Sequence, residues 1–296
     1  MELPCCLLIN AMTGGAAEVE SMNGALAEAA AHLGLPMAVG SQVAGMREPE
    51  VAQSYRIVRQ VNPQGVILAN VSTSATVEEA RAAVEMIDAN LLQIHLNAPQ
   101  ELVMAEGDRG FRGQLRQIAA LVDVMPVPVV VKECGFGMSR ETARQLYDAG
   151  VRAVDVSGRG GTNFAWIEGQ RQDLPVDPGI EQWGIPTAAT LAEVAALSLP
   201  GVDIVASGGV RYGSDCAKAL ALGASVVGVA GAALRAYQQG RLQAYLEGLV
   251  GDLRCALLLS GARSVAEMRL RPVVITGETG QWCRLRGVPL ETWAQR

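Results

Sequence analysis

Four polar side chains crowd the end of one short apolar run in this 296-residue chain: Leu91-Leu92-Gln93-Ile94-His95-Leu96-Asn97-Ala98-Pro99-Gln100-Glu101. His95 lies inside the run, Asn97 closes it, and Gln100 and Glu101 follow just past Pro99. Burying a polar group without a partner costs a few kcal/mol, so a strand does not carry a histidine for nothing. The spacing makes sense if the strand ends at a pocket that takes a polar ligand. Asn97 and Gln100 can donate to phosphate-like oxygens there, His95 can donate or carry charge, and Glu101 can hold a hard cation. A satisfied core histidine above a solvated turn would leave the same pattern. The rest of the chain has to decide.

A second group of residues speaks for a phosphate. Ser207-Gly208-Gly209-Val210-Arg211 and Ala230-Gly231 each follow an apolar run. Glycines let backbone N–H groups approach phosphate oxygens, and the N-terminus of the next helix adds its dipole. Lys132 emerges from the run Val127–Val131, where a cation could sit beside the electron-rich end of a bound ring, or simply snorkel to solvent. Thr13, Ser41, Asn70, Ser157 and Thr162 are small hydrogen-bonding groups that suit a flat heteroaromatic ring, although each could equally be a turn residue.

Other chemistries are excluded by what the chain lacks. There is no Gly-x-x-x-x-Gly-Lys-Ser/Thr phosphate loop and no Gly-x-Ser-x-Gly elbow. Only two histidines occur, His32 and His95, and no Cys-x-x-Cys pair, so a zinc site is not expected. His32 falls in an amphipathic segment and reads as structural. A net charge of −6 with no basic run argues against nucleic acid or an anionic membrane surface as partner. No apolar run approaches the roughly 20 residues that span a bilayer. Six scattered cysteines, without a leader sequence, fit a reducing cytoplasm.

The elements that must position these groups follow from hydrophobic periodicity. Eight short apolar runs are expected as strands: 7–10, 37–40, 65–69, 91–95, 127–131, 153–156, 203–206 and 225–229. Helix-like stretches separate them, at 17–33, 49–61, 77–90, 113–124, 139–149, 188–198 and 214–222, with 232–260 after the last. Near-continuous apolar strands want cover on both faces, which parallel strands with crossover helices provide. Ser139 reads as an N-cap, Thr76-x-x-Glu79 as a capping box, and Gly150 and Gly223 as helix stops. Eight such units, with no break in composition, predict one α/β domain over residues 1–296, a (β/α)8 TIM barrel. Polar and glycine-rich residues then gather after the strands, at the end where a barrel places its active site.

At these residues the chain resembles type 2 isopentenyl diphosphate isomerase, the flavin-dependent form of that enzyme. The resemblance rests on Asn10-Ala-Met-Thr-Gly-Gly15, Val39-Gly-Ser-Gln42, Gln93-Ile-His-Leu-Asn97 with Gln100-Glu101, and Val131-Lys-Glu133. It continues through Gly135-Phe-Gly-Met-Ser139, Gly160-Gly-Thr-Asn163, Trp183-Gly184, Ser207-Gly-Gly209 and Gly277-Glu-Thr279, nearly the whole chain in order. The resemblance implies FMN bound through Met12, Thr13, Gly14, Ser41, Asn70, Lys132, Ser157 and Thr162. Its phosphate would lie on Gly208, Gly209, Val210, Arg211, Ala230 and Gly231. Glu101 would ligate Mg2+, which bridges to the diphosphate of a small-molecule substrate, while His95, Asn97 and Gln100 contact that substrate. The implied reaction moves the double bond of isopentenyl diphosphate to give dimethylallyl diphosphate, with reduced FMN as acid and base. NAD(P)H is implied only as the reductant of the flavin, and a homo-oligomer, tetrameric or larger, as the assembly.

One departure bears on that expectation. Family members usually carry several dozen residues before the first barrel strand, including an Arg-Lys pair that helps bind the diphosphate. Here Met1 stands a few residues before Leu7, so that segment is expected to be absent, through truncation or in a shortened member with weakened substrate binding. Arg47, Arg109 or Arg159 could partly substitute. The alternative is a catalytically silent FMN-binding barrel. An FMN 2-hydroxy-acid oxidase would need a base histidine and a carboxylate-binding arginine after strand six or seven, and no histidine follows His95; an inosinate-type dehydrogenase would need a cysteine in the strand-six loop, and residues 157–187 contain none.

Overall fold

The computed structural model describes residues 3–172 and 176–296. Eight parallel strands close into a barrel in sequence order: β1 (Leu7–Ile9), β2 (Met37–Ala38), β3 (Ile67–Ser72), β4 (Leu91–Leu96), β5 (Val129–Glu133), β6 (Ala153–Asp155), β7 (Asp203–Ala206) and β8 (Val226–Val229). Closure is made by β1 against β8, with Leu7, Leu8 and Ile9 opposite Val227, Gly228 and Val229. Helices between the strands cover the outside, as the (β/α)8 expectation required.

Because side chains alternate across a strand, every second residue points into the barrel. Low in the barrel these are apolar: Leu8, Leu68, Val205 and Val226 pack with Ala38 into one cluster, and Leu91 lies against it. Two residues further along, the same inward row turns polar on β1, β3, β4 and β7, giving Asn10, Asn70, Gln93 and Ser207. Lys132 and Asp155 occupy the same tier on β5 and β6. All six are buried. The outward row, including Leu7, Ile9, Ile67, Val71, Ile94 and Val131, joins the helices in the main core. The barrel therefore has an apolar floor and a polar upper tier, and the tier is where chemistry is held.

Several local readings hold. Thr76 and Glu79 form the capping box of helix Val77–Met86, and the Ser139 side chain accepts from the Thr142 amide at the start of Arg140–Asp148. Gly150 and Gly223 follow helices with φ of +96° and +120°, conformations that suit glycine. Others are corrected. The stretch 232–260 is two helices, Gly231–Gln238 and Leu242–Leu259, broken where Gly240 turns left-handed at φ +66°. Segments 17–33 and 49–61 each open with a 3-10 turn before the α-helix, and 77–90 ends at Met86. β3 runs to Ser72, so Asn70 stands inside a strand instead of in the loop beyond it. His32 is at the last turn of Glu20–Leu33, largely exposed and 3.6 Å from Glu247, a surface residue with no role in the core. Among the described residues no helix is long and apolar enough to cross a membrane.

Candidate active site

A cavity of about 250 Å³ opens at the C-terminal ends of the strands. Met12 and Thr13 after β1, Lys132 on β5, Ser157 and Thr162 after β6, Gly208 to Arg211 after β7, and Ala230 and Gly231 after β8 all line it. These are eleven of the fourteen residues expected to hold the cofactor. Gly14, Ser41 and Asn70 do not line it. Gly14 passes so close to Tyr55 that a Cβ would lie 2.0 Å from the ring, and the Ser41 carbonyl accepts from the Tyr55 hydroxyl. Asn70 belongs to the buried polar tier.

The glycine-rich corner is built by two loops pressed together. A Cβ on Gly208 would stand 2.0 Å from the Gly158 carbonyl oxygen, and one on Gly209 2.4 Å from that of Gly160. Gly208 and Gly209 also have φ of +99° and +82°, so close approach and backbone sign both demand glycine. Thr187 Oγ1 donates to the Gly208 carbonyl at 2.5 Å, and Arg211 donates to the Gly160 carbonyl at 3.0 Å. Ser157 stands at φ +27°, an uncommon conformation for a residue with a side chain. Its amide is held by Asp155 Oδ1 at 3.1 Å. Three cations, Lys132, Arg211 and Arg235, face the cavity. A bare-backbone cradle with cations around it matches the donor chemistry of a phosphate-bearing cofactor, so FMN fits this site. Arg235 had no motif to announce it; its signal was only its place in the helix after the Ala230-Gly231 corner.

The second cluster stands beside this cavity. His95 is the penultimate residue of β4, and its Nδ1 lies 2.8 Å from Asn70 Oδ1. Burial first, and the Lys132 charge second, push the imidazole down to about 4, against a smaller raising effect from the Val71 carbonyl. The ring is therefore neutral at pH 7, which corrects the expectation that it could carry charge. Asn97 precedes helix Ala98–Val103, so Gln100 and Glu101 are on a short helix and not in a turn. Asn97 donates to Gln100, and Gln100 Nε2 donates to Glu168 Oε1 at 2.7 Å. Glu168, from helix Phe164–Arg171, is buried and also paired with Arg171 at 2.7 Å. Glu168 was missed in the sequence because its partner is 68 residues away. Asn97 Oδ1 is buried with no hydrogen-bond partner, an acceptor awaiting a donor.

Glu101 Oε2 accepts from the Asp108 amide at 2.8 Å. Among the described residues no group of three or more His, Cys, Asp or Glu side chains could enclose a metal. One carboxylate suits Mg2+, which keeps several waters and takes its remaining ligands from substrate phosphates. Arg109 is spent on structure, donating to the carbonyls of Glu101, Gly107 and Met104. Arg159 likewise donates to the Gly184 carbonyl at 3.3 Å.

Beneath both clusters lies a buried network of which the sequence pointed to Asn70 as a candidate and to Asn10, Gln42, Gln93 and Ser207 only as motif letters, and did not single out Asp155. Asp155, fully buried, accepts from Asn10 Nδ2 at 2.6 Å and from Ser207 Oγ at 2.7 Å. Gln93 Nε2 donates to Asn10 Oδ1 at 3.0 Å, and Asn70 Nδ2 to Gln93 Oε1 at 3.1 Å. Gln42 clamps Asn70 from outside, its Oε1 accepting the Asn70 amide at 2.9 Å while its Nε2 donates to the Ala83 carbonyl at 2.8 Å. The available signal was period two: Asn10, Gln93 and Ser207 each stand two residues past an inward apolar residue.

An eight-stranded barrel with a glycine-lined anion corner and an adjacent polar tier defines a flavin-type barrel. The pattern of the FMN-dependent dehydrogenase family matches residues 20–274. Among solved structures, a mandelate oxidase variant with a monooxide FMN adduct superposes with a TM-score of 0.63 at 20% identity, covering 90% of this chain and 78% of that one. That similarity establishes the fold. Closer relatives are the isopentenyl-diphosphate delta-isomerase of Symbiobacterium thermophilum, 64% identical over 98% of this chain and 81% of its own length, and that of Bacillus licheniformis, 47% identical over 98% and 84%. The chain belongs to the FMN-dependent isopentenyl-diphosphate delta-isomerase family.

Proposed function

We propose that this protein converts isopentenyl diphosphate to dimethylallyl diphosphate with FMN and Mg2+ bound. The observation that carries the reading is the 64% identity, over 294 residues, to a relative named for that isomerisation. The site geometry supports it from the residues upward. When bound, reduced FMN would supply an electron-rich acid–base surface for moving a proton between substrate carbons, with NAD(P)H needed only to reduce it. The glycine corner with Arg211 and Arg235 would hold the flavin phosphate, and Lys132 would balance negative charge on the reduced ring. Glu101 would hold Mg2+ against the substrate diphosphate, beside Asn97, Gln100 and His95. Gln100 is pre-oriented by Glu168, so its position is set before substrate arrives.

The test is an anaerobic assay of the 296-residue chain with reduced FMN, Mg2+ and isopentenyl diphosphate, followed by NMR. Dimethylallyl diphosphate should accumulate to an equilibrium mixture. Tight flavin binding without product would instead favour a silent flavoprotein.

A further inference from the structure

The buried amide chain under the site has a direction. Asn10 turns its Nδ2 toward Asp155 Oδ2, at 2.6 Å. The Ala11 backbone N–H can only donate, and it points at Asn10 Oδ1 at 2.9 Å. That obligate donor fixes the Asn10 amide with Nδ2 on the Asp155 side. Asn10 Oδ1 then takes its hydrogen bond from Gln93 Nε2, which leaves Gln93 Oε1 to accept from Asn70 Nδ2. Asn70 is left with Oδ1 facing His95 Nδ1 at 2.8 Å. An amide oxygen cannot donate, so the contact is a hydrogen bond only if Nδ1 carries the proton.

We propose that Asp155, Asn10, Gln93 and Asn70 form a positioning relay that holds His95 as the Nδ1–H tautomer. Nε2 then keeps a free lone pair at the barrel mouth. Turning any one amide round would set N–H against N–H or oxygen against oxygen in a buried tier, where an unmade hydrogen bond costs about 1–3 kcal/mol. The imidazole, held neutral by burial and by Lys132, has no second proton to offer. His95 therefore meets the ligand as an acceptor. It would receive a hydrogen bond from a metal-bound water or a protonated phosphate oxygen, and would not donate to a bare phosphate oxygen. None of the four relay residues needs to touch substrate for this; their action passes through His95.

That His95 faces the diphosphate rests on the isomerase reading; the tautomer does not. The chain contains only two histidines, and His32 is on the surface, so ring-nitrogen NMR of the flavin-loaded, 15N-histidine-labelled protein resolves His95 directly. At pH 7 His95 should show a protonated Nδ1 and an unprotonated Nε2. A protonated Nε2, or both nitrogens protonated, overturns the proposal. Gln93→Met cuts the relay in the middle without adding charge, and the single tautomer should be lost, with a new Nε2–H signal. An unchanged tautomer in flavin-binding Gln93→Met also overturns it. If that variant binds no flavin, Gln93→Asn keeps a buried amide but is one methylene too short, and is judged by the same signal. An inactive protein with Nδ1–H His95 counts against the isomerase reading alone. An active one with Nε2–H counts against the relay alone.

Discussion

Glu101 and Lys132 carry opposite charges at one barrel mouth, and each has a different expected loss. Glu101→Gln removes the charge Mg2+ needs but keeps an oxygen for the Asp108 amide, so the loop stays in place. Turnover should fall by roughly 10²-fold or more while flavin affinity is unchanged, since electrostatic stabilisation at a reacting anion is worth that much. A Mg2+ titration of the variant checks this, and wild-type dependence would remove Glu101 from the metal. Lys132→Ala should weaken flavin binding about 10–100-fold, the worth of one charge-assisted contact of roughly 1.5–3 kcal/mol. It should also lower the flavin reduction potential, because the reduced ring loses its cation. Equilibrium titration of flavin fluorescence and a potentiometric titration read the two effects. At this scale the chain was legible where chemistry and local pattern coincide: His95, Lys132, Gly208 and Gly209. It was silent where a role is made by distant partners. Asp155 meets Asn10 across 145 residues and Glu168 meets Gln100 across 68, and neither carboxylate has a local signature.

Elements bring those partners together, and one close meeting is the loop after β6 against the loop after β7. The Gly158 amide donates to the Ser207 carbonyl at 2.9 Å, so the two backbones are stitched as well as pressed together. Gly208→Ala would place a methyl 2.0 Å from a backbone oxygen at a φ of +99°. The backbone must shift, at a cost of about 1–3 kcal/mol in strain, and the shift falls on the anion corner. Flavin affinity should drop by about tenfold or more, together with a lowered melting temperature. Gly240→Ala, at φ +66° with open space around it, should cost stability alone and leave flavin affinity intact. Flavin titrations of the two variants separate them, and equal flavin losses would show that the corner is not the phosphate site. All eight strands could be read from apolar runs because parallel strands buried on both faces leave an unbroken hydrophobic trace. The break at Gly240 was hidden in a continuous helical periodicity. The short helix Ala98–Val103 was hidden by its six-residue length.

At the scale of the whole molecule, two titratable groups near the ends of β4 and β5 make stability depend on pH in two opposing ways. Glu133, at the end of β5, is pushed up from 4.5 to about 7 by burial, so the folded protein keeps a proton that the unfolded chain gives up. Its contribution is full below pH 4.5 and is lost as pH rises toward 7. His95 is pushed down from 6.5 to about 4, so the unfolded chain binds the extra proton. Its contribution is full above pH 6.5 and is lost as pH falls toward 4. Between 4.5 and 6.5 the two slopes cancel, and these groups leave the flavin-free protein nearly flat in stability. Glu133→Gln removes one slope and leaves the other. Its stability should then rise with pH by up to about 1.4 kcal/mol per unit across that window. Relative to wild type, the variant should gain about 3 kcal/mol in total between pH 4.5 and 7. Denaturant unfolding of the two flavin-free proteins at a series of pH values gives this difference. Parallel curves would mean that Glu133 is ionised in the folded barrel. The carboxylate would then lie beside Lys132 as a charge, and the net positive potential facing the flavin would be smaller than the three cations suggest.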